Sequence, residues 1–190
     1  MQSPGFLLII SGPSGVGKTT ITHEVERALG AVFSVSLTTR PITPKDVEGR
    51  DYYFVDKPTF EARRDRGELL EWAEVFGNCY GTPRGPVQDT IAAGRIMILE
   101  IDVVGAIQIK ARMPEAYALF VLPPSENELL RRLRSRKRED ETVIQRRFAK
   151  AKSEIIQAWE CSIYDDFIVN RDLDKAVAEA VDLVRQRRDR

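Results

Sequence analysis

The chain has 190 residues and a mass of 21.6 kDa, a size that fits one domain with small insertions and excludes a multidomain protein. Hydrophobic residues make up 43% and charged residues 31%, which excludes a disordered or fibrous chain. The 29 Lys and Arg residues balance the 29 Asp and Glu residues, so we expect no nucleic acid partner held by overall positive charge.

Membrane segments and disulfides are not expected either. The longest apolar run, 6–10, is far shorter than the roughly 18 residues of a membrane span, and no basic leader of a secretory signal precedes it. The two cysteines, Cys79 and Cys161, are too few for a disulfide framework and suit a reducing compartment. We therefore expect a soluble, cytoplasmic protein.

Short apolar runs alternate with helical patterns along the chain. The run at 6–10 predicts a strand buried on both faces, and the pattern after it predicts a helix at 19–29 that Gly30 ends. Further strands are predicted at 32–36, 51–55, 71–76, 96–102, 118–122 and 167–170. Further helices are predicted at 59–66, 86–93, 105–112, 129–136, 142–158 and 173–187. This order predicts a parallel sheet covered on both faces by helices, while the aromatic stretch 36–84 departs from it and indicates an insertion.

The residues between the first strand and the first helix match the phosphate-binding pattern G-x-x-x-x-G-K-[ST]. The matching residues are Gly12, Pro13, Ser14, Gly15, Val16, Gly17, Lys18 and Thr19, followed by Thr20. Glycines let the backbone N–H groups wrap a phosphate, and the helix N-terminus favours its negative charge. Lys18 is expected to reach the β and γ oxygens, and the Thr19 hydroxyl to bind Mg²⁺. We therefore predict a nucleoside triphosphate site; the alternative is a glycine-rich turn between a strand and a helix.

Two acidic residues end the strand predicted at 96–102. At strand spacing, Glu100 and Asp102 point to the same side. In phosphate-loop enzymes an acid at this place helps to hold Mg²⁺, so we predict a Mg²⁺ site formed by Thr19, Glu100 and Asp102, partly through water. The alternative is an ordinary solvated strand end.

Beyond this loop, an ordered series of motifs resembles the guanylate kinase family over almost the whole chain. The motifs are 11–20 (SGPSGVGKTT), 34–40 (SVSLTTR), 49–54 (GRDYYF), 68–73 (ELLEWA), 77–82 (GNCYGT), 100–102 (EID) with 105–106 (GA), 123–125 (PPS) and 168–170 (IVN). The phosphate loop alone fits many NTPases, whereas the series with its spacing is far more specific. The resemblance implies an α/β fold with a P-loop NTPase core, whose parallel β-sheet is flanked by helices, plus a GMP-binding insertion and a helical lid.

The resemblance also implies the activity and the division of the chain. It implies transfer of the γ-phosphate of ATP to GMP, and to dGMP, giving ADP and GDP with Mg²⁺. The implied parts are a core at 1–35, 85–125 and 153–190, a GMP-binding region at 36–84 and a lid at 126–152. ATP and GMP are the expected partners, with no nucleic acid and no membrane; the oligomeric state is left open.

Individual residues take roles from the resemblance. Glu71 matches the carboxylate that reads guanine, and Thr82 matches the hydroxyl that meets O6. A carboxylate suits guanine because N1–H and N2–H₂ are adjacent donors, whereas adenine would face it with a lone pair. The residues that match the GMP site are Ser36, Arg40, Tyr52, Glu71, Tyr80, Thr82 and Asp102. The residues that match the catalytic cations are Lys18, Arg40, Arg136 and Arg147.

Taken singly, these residues have plainer interpretations. Glu71 beside Trp72 fits an ordinary strand-edge acid, and the tyrosines fit core aromatics with satisfied hydroxyls. The basic run at 131–138 fits a solvated helix face or a nucleic acid patch, and its acidic neighbours weaken the second. The implied reaction needs no general base, because the attacking GMP phosphate oxygen is already ionised near neutral pH.

The match to the family breaks at a few positions. Thr43 stands where a second phosphate-binding arginine is usual, and we predict that Lys45 or Arg50 supplies the missing charge. The other departures are Glu100 for Asp, Val104 for Gln, Lys137 for Gly, Arg171 for Asp, and Cys79 for an aromatic residue. They leave the implied reaction intact and bear on the affinities and on closure of the lid.

Two other functions fit parts of the sequence. A kinase for a ribosyl phosphate shares the core, but Glu71, Tyr80 and Thr82 argue against it. A non-catalytic guanylate-kinase-like module that binds protein partners needs no working ATP site, whereas Lys18 and Thr19 are present here, together with both lid arginines.

Overall fold

Strands and helices alternate through the residues that the computed structural model describes, 5–75, 77–135 and 140–189. The strands are β1 (Phe6–Ser11), β2 (Val32–Phe33), β3 (Leu37–Thr38), β4 (Tyr53–Phe54), β5 (Leu69–Val75), β6 (Asn78–Pro83), β7 (Ile96–Glu100), β8 (Tyr117–Leu122) and β9 (Asp166–Val169). The helices are α1 (Lys18–Leu29), α2 (Lys57–Asp65), α3 (Arg84–Ala92), α4 (Val103–Arg112), α5 (Glu126–Ser135), α6 (Glu141–Glu160) and α7 (Leu173–Arg188).

A parallel sheet in the order β2-β7-β1-β8-β9 lies at the centre of the fold. Residues 6–10 of its central strand, β1, are all apolar because helices cover both faces. Leu8 and Ile10 pack against α1 and α7, and Leu7 and Ile9 pack against α3 and α4. The predicted α/β fold, with a parallel sheet flanked by helices, is confirmed.

The register of the central sheet decides where polar residues gather. Ile10 of β1 lies opposite Glu100 of β7, so both strands end at the same edge of the sheet. Ligands of open α/β sheets bind at this edge, outside the carboxyl ends of the strands. The loop after β1 and the acid that ends β7 therefore lie side by side.

A second sheet in the order β4-β3-β6-β5 is formed by residues 37–83. β6 runs antiparallel to both β3 and β5, and the β5–β6 register pairs Glu71 with Thr82. Helix α2 covers this sheet with the fully buried Phe60, which packs among Leu37 and Leu69. The sheet thus places an acid and a hydroxyl directly opposite each other on neighbouring strands.

Helices α5 and α6 pack against each other beside the central sheet. Their contact is formed by Leu129, Leu133, Ile144 and Ala151. None of the described helices is long and apolar enough to span a membrane.

The strand predicted at 32–36 is wrong in extent. Only Val32–Phe33 pairs with β7, and the Ser34 N–H adds one more bond to the Ile98 carbonyl before the chain leaves this sheet. Residues 37–38 then join the second sheet. Apolar residues recur from Val32 to Leu37 although β2 and β3 belong to different sheets, so periodicity cannot separate the two short strands.

β6 was not predicted, because Gly77 and Gly81 indicated turns around it. In the structure Gly81 lies inside the strand, where the absence of a side chain makes room for Leu69. A Cβ there would lie 2.9 Å from Leu69 Cδ1, closer than side chains tolerate.

The strand predicted at 96–102 is too long at its end. β7 stops at Glu100, and Asp102 is the N-cap of α4, where its carboxylate accepts a 2.9 Å bond from the Gly105 N–H. The inference that Glu100 and Asp102 share a side through strand spacing is therefore wrong. Both residues nevertheless line one cavity, Glu100 from the end of β7 and Asp102 from the N-cap of α4.

Candidate active site

The loop between β1 and α1 wraps back on itself at two glycines. Gly17, with φ +94°, ends the loop as the N-cap of α1, and a Cβ on it would lie 2.7 Å from the side-chain amide of Asn170. Gly12 has φ +153°, and a Cβ on it would lie 2.6 Å from the Val121 carbonyl. No other residue fits these two positions, so the glycines of the motif are required by backbone geometry and by close neighbours.

Lys18, the motif lysine, lies across the loop that precedes it. Its ammonium donates a 2.7 Å hydrogen bond to the carbonyl oxygen of Gly12. The ammonium is thus held over the concave side of the loop, where the backbone N–H groups can receive phosphate oxygens.

The carbonyl of Val16 anchors the loop to the rest of the protein. It accepts a 2.8 Å bond from Asn170 Nδ2 and a 3.4 Å bond from Arg132 Nη1. Arg132 also donates a 3.0 Å bond to the Asn170 carbonyl, and Glu128 accepts a 2.7 Å bond from Arg132 Nε. Val16 itself is buried in the core. No role for Arg132 could be predicted, because its contact with Val16 joins residues more than a hundred positions apart.

The three oxygen-bearing side chains predicted to bind Mg²⁺ lie beside the loop. The Thr19 hydroxyl donates a 2.8 Å bond to Glu100 Oε1. Both residues line a cavity of about 340 Å³ together with the loop and Asp102. Lys150 and Glu154 of α6 also line it. The hydroxyl and two carboxylates form the hard oxygen set that suits Mg²⁺, which binds proteins through one or two carboxylates plus phosphates.

Glu71 is a buried acid with one hydroxyl partner. Its side chain and that of Thr82 are buried, and Thr82 Oγ1 donates a 2.6 Å hydrogen bond to Glu71 Oε1. Burial raises the pKa of the Glu71 carboxyl to about 7, the negative charge of Asp102 adds to the rise, and the Thr82 bond opposes it. On its other side the carboxylate meets Gly105, where a Cβ would lie 3.1 Å from Oε2.

Arg40 is held by an acid that the sequence did not single out. Its two terminal nitrogens donate 3.0 and 2.9 Å bonds to the two carboxylate oxygens of Asp46. Asp46 also accepts bonds of 2.7 Å from the N–H and the hydroxyl of Thr43. The hydrogen bonds from Arg40 and Thr43 hold the pKa of the Asp46 carboxyl well below its usual range. No local pattern marks Asp46, because a guanidinium six residues earlier in a loop gives no periodic signal.

The two predicted tyrosines lie with Arg40. The Arg40 guanidinium lies 5.4 Å from the ring centre of Tyr52 and 5.4 Å from that of Phe54. Tyr80 meets Tyr52 edge to face with 5.7 Å between ring centres. Desolvation raises the pKa of Tyr52. Ser36 lines a second cavity of about 640 Å³ with Tyr52, Thr19 and Glu100, so this group opens towards the oxygen ligands of the first cavity.

One of the two predicted lid arginines reaches the phosphate loop. The guanidinium of Arg147, on α6, donates a hydrogen bond to the Ser14 hydroxyl. Arg136, the other predicted lid arginine, lies outside the described residues. Lys18, Thr19, Glu100 and Asp102 thus line one cavity, and Arg147 contacts Ser14 at its rim.

Comparisons with known proteins agree with this geometry. The sequence model of the guanylate kinase family matches residues 5–187. The chain belongs to the guanylate kinase family. A guanylate kinase of Thermosynechococcus vestitus is 49% identical over 175 residues, covering 92% of this chain and 90% of that protein. One of Chelativorans sp. is 48% identical over 176 residues, covering 92% of this chain and 79% of that protein.

The fold of a solved guanylate kinase is also similar. The crystal structure of guanylate kinase from Anaplasma phagocytophilum superposes with a TM-score of 0.77 at 34% identity, covering 98% of this chain and 88% of that one. The P-loop fold predicted from the sequence and the membership of the guanylate kinase family are both confirmed. The roles of single residues in a guanylate kinase site stay predictions.

Proposed function

We propose a residue-level account of how this member of the guanylate kinase family transfers phosphate from ATP to GMP. The enzyme is an ATP:GMP phosphotransferase. One observation carries the account: the N-terminus of α4 belongs to both halves of the site. Asp102 lines the phosphate-loop cavity, and Gly105, three residues on, packs against the carboxylate of Glu71. The triphosphate of ATP and the guanine base of GMP therefore bind on either side of the N-terminus of α4.

The donor half binds the triphosphate of ATP. The N–H groups of the loop and of the N-terminus of α1 donate hydrogen bonds to the phosphate oxygens, and the Lys18 ammonium turns from the Gly12 carbonyl to the β and γ oxygens. Thr19, Glu100 and Asp102 would hold Mg²⁺, partly through water. When bound there, Mg²⁺ neutralises charge on the phosphates of ATP.

The acceptor half recognises guanine through Glu71 and Thr82. As a carboxylate, Glu71 accepts bonds from N1–H and N2–H₂ of guanine, and the Thr82 hydroxyl turns to O6. Adenine would leave the same buried carboxylate against a ring nitrogen that has only a lone pair, and each unpaired buried group costs about 1–3 kcal/mol. Asp102 borders both Glu71 and the phosphate loop, which supports its place in the GMP site.

The GMP phosphate lies between the base pocket and the donor half. The predicted ligands are Ser36, Arg40, Tyr52 and Tyr80. Support comes from the Arg40 and Tyr52 contact and from the shared cavity of Ser36 and Tyr52 with Thr19. A guanidinium and hydroxyls suit a phosphate dianion because they donate charge-assisted hydrogen bonds.

Catalysis comes from positioning and charge. The attacking oxygen belongs to the GMP phosphate and needs no base to remove a proton, so approach to the γ-phosphate and stabilisation of its charge suffice. Lys18 and Arg147 supply positive charge at the loop, and the resemblance to the family gives Arg136 the same catalytic role. Closure of a lid at 126–152 over a GMP-binding region at 36–84 would exclude water and limit ATP hydrolysis.

The division into core, GMP-binding region and lid is supported by the second sheet at 37–83 and the α5–α6 pair. The core then comprises 1–35, 85–125 and 153–190. We also propose dGMP as a second acceptor and a cytoplasmic location, which the free thiols of Cys79 and Cys161 suit.

The two alternatives are less well supported. A ribosyl phosphate kinase has no use for a buried carboxylate and hydroxyl paired as Glu71 and Thr82 are. A partner-binding module needs no Thr19–Glu100 pair beside a complete phosphate loop.

Substitution Lys18→Ala tests the proposed donor site. We expect ADP release with ATP and GMP to be abolished, while the circular dichroism spectrum and the thermal unfolding midpoint stay close to those of the unchanged protein. Turnover that persists in Lys18→Ala would contradict the assigned site.

A further inference from the structure

A cavity of about 640 Å³ opens beside Arg40, between α1 and the loop that follows β3. The residues that line it and matter here are Thr19, Ser36, Lys45, Arg50, Tyr52 and Glu100. Under the proposed function, this cavity receives the phosphate of GMP. A phosphomonoester carries a charge of about −1.5 to −2 at neutral pH, so the cavity must offer positive charge that is not already neutralised.

The arginines around this cavity are both paired with aspartates. Arg40 is bound by both oxygens of Asp46, as described above. Arg50 donates a 3.0 Å bond to Asp51, which also accepts a 2.7 Å bond from the Val47 N–H. Each arginine therefore enters the cavity with a neighbouring negative charge.

Thr43 adds no charge, and Asp46 already occupies both of its donors. Its N–H and its hydroxyl both bind Asp46, each at 2.7 Å. A phosphate could recruit the hydroxyl only by taking it from Asp46, and it would still gain no positive charge.

Lys45 differs from these residues. It lines the cavity and is exposed, and among the described residues no hydrogen bond or ion pair involves it. Its ammonium has three rotatable donors on a flexible stem, so it can follow a phosphate without breaking a native contact. Arg50 can do so only by leaving Asp51.

We propose that Lys45 binds the phosphate of GMP and supplies the uncompensated positive charge of this cavity. The inference rests on the proposed function and names a further substrate-binding residue for it. Arg40 then orients the phosphate while it remains forked on Asp46, and Lys45 balances the remaining charge.

Kinetics of Lys45→Ala test the proposal. Loss of one charge-assisted contact from a partly exposed site is expected to raise the KM for GMP about tenfold. The KM for ATP should stay unchanged, and the effect should shrink in high salt because the contact is screened. Lys57→Ala is the matched control, since Lys57 is an exposed lysine on α2 whose ion pair is with Glu61. This substitution should leave the KM values for GMP and ATP unchanged.

Two further variants separate charge from structure. Lys45→Arg should keep the KM for GMP within about twofold, because charge and reach are retained. Thr43→Arg introduced into Lys45→Ala should restore much of the affinity from the same rim of the cavity. A KM for GMP that is unchanged in Lys45→Ala, or that rises in Arg50→Ala instead, would overturn the proposal.

Direct binding distinguishes failure of this proposal from failure of the proposed function. Calorimetry should show that Lys45→Ala lowers the affinity for GMP and leaves the affinity for guanosine unchanged, since guanosine lacks the phosphate. Equal weakening of both ligands would overturn the role of Lys45. Failure of the unchanged protein to bind GMP at all would defeat the proposed function and this inference together, whereas binding of GMP that is unaffected by Lys45→Ala defeats the inference alone.

Discussion

The hydroxyl of Thr82 donates a 2.6 Å hydrogen bond to Glu71 across neighbouring antiparallel strands, and both side chains are buried. The carboxylate therefore has one oxygen satisfied within the protein, and Gly105 leaves room beside the other. Desolvation holds the pKa of Glu71 at about 7, so the group is poised near neutrality until a ligand supplies donors.

Substitution Thr82→Val should destabilise the fold and weaken the binding of GMP. Valine keeps the shape of threonine and removes the donor, which leaves a buried oxygen of Glu71 unpaired at a cost of about 1–3 kcal/mol in the free energy of unfolding. Urea denaturation and the KM for GMP measure the two effects. Thr82→Ser, which keeps the hydroxyl, should be close to the unchanged protein in both; equal KM values for all three proteins would rule out Thr82 as a guanine ligand.

Binding of guanine should strengthen as the pH rises through about 7. The pKa of Glu71 is raised above its ordinary value, so the protonated carboxyl persists in the folded protein up to this pH, and only the carboxylate accepts both guanine donors. From pH 6 to pH 8 the ionised fraction of a group with a pKa of about 7 rises about tenfold.

Guanosine is the ligand to use for this test, because the phosphate of GMP also titrates near pH 6. We expect guanosine affinity, measured by calorimetry, to rise about tenfold between pH 6 and pH 8 in proportion to the ionised Glu71. In Glu71→Gln the affinity should be low and independent of pH. A pH dependence that survives in Glu71→Gln would assign it to another group.

Alanine substitutions at two helical glycines should affect different properties, GMP binding at Gly105 and stability at Gly85. Gly105→Ala places a Cβ 3.1 Å from Glu71 Oε2, so the carboxylate must shift and the KM for GMP should rise severalfold. Gly85→Ala, on α3, meets nothing within 4 Å and should raise the free energy of unfolding by about 0.4–1 kcal/mol without changing the KM. Thermal unfolding and GMP kinetics on the pair check this, and an unchanged KM in Gly105→Ala would show that Glu71 does not need its position.

Asn170→Ala should weaken the binding of ATP without affecting the binding of GMP. It removes the 2.8 Å bond from Asn170 Nδ2, which is one of the two bonds that hold the Val16 carbonyl of the phosphate loop. We expect a higher KM for ATP, an unchanged KM for GMP, and a loss of about 1–3 kcal/mol in the free energy of unfolding. A rise in the KM for GMP of the same size would contradict a local role at the loop.

The parts of the site that the sequence predicted are those encoded by neighbouring residues. The loop from Gly12 to Thr19 could be predicted because consecutive residues define its conformation, and it follows a strand whose burial is plain from the apolar run at 6–10. Glu71 and Thr82 were named from the resemblance to a family, while their pairing follows from a strand, β6, that the glycines concealed.

The rest depends on contacts that no local pattern encodes. Asp46 matters because Arg40 folds back onto it, and Gly105 matters because of a carboxylate more than thirty residues away. Asp102 was named correctly as a neighbour of the phosphate loop but for a wrong reason, since it reaches the cavity as a helix cap. In each case tertiary packing, rather than periodicity, brings the groups together.

Acceptor specificity tests the central claim most directly. ADP release from ATP, followed in a coupled assay, would be compared for GMP, AMP, CMP, UMP and ribose phosphates on the same protein. The account predicts the highest kcat/KM with GMP, because its guanine meets the Glu71 carboxylate with two donors. Highest turnover with AMP, or no turnover with any nucleotide, would contradict it.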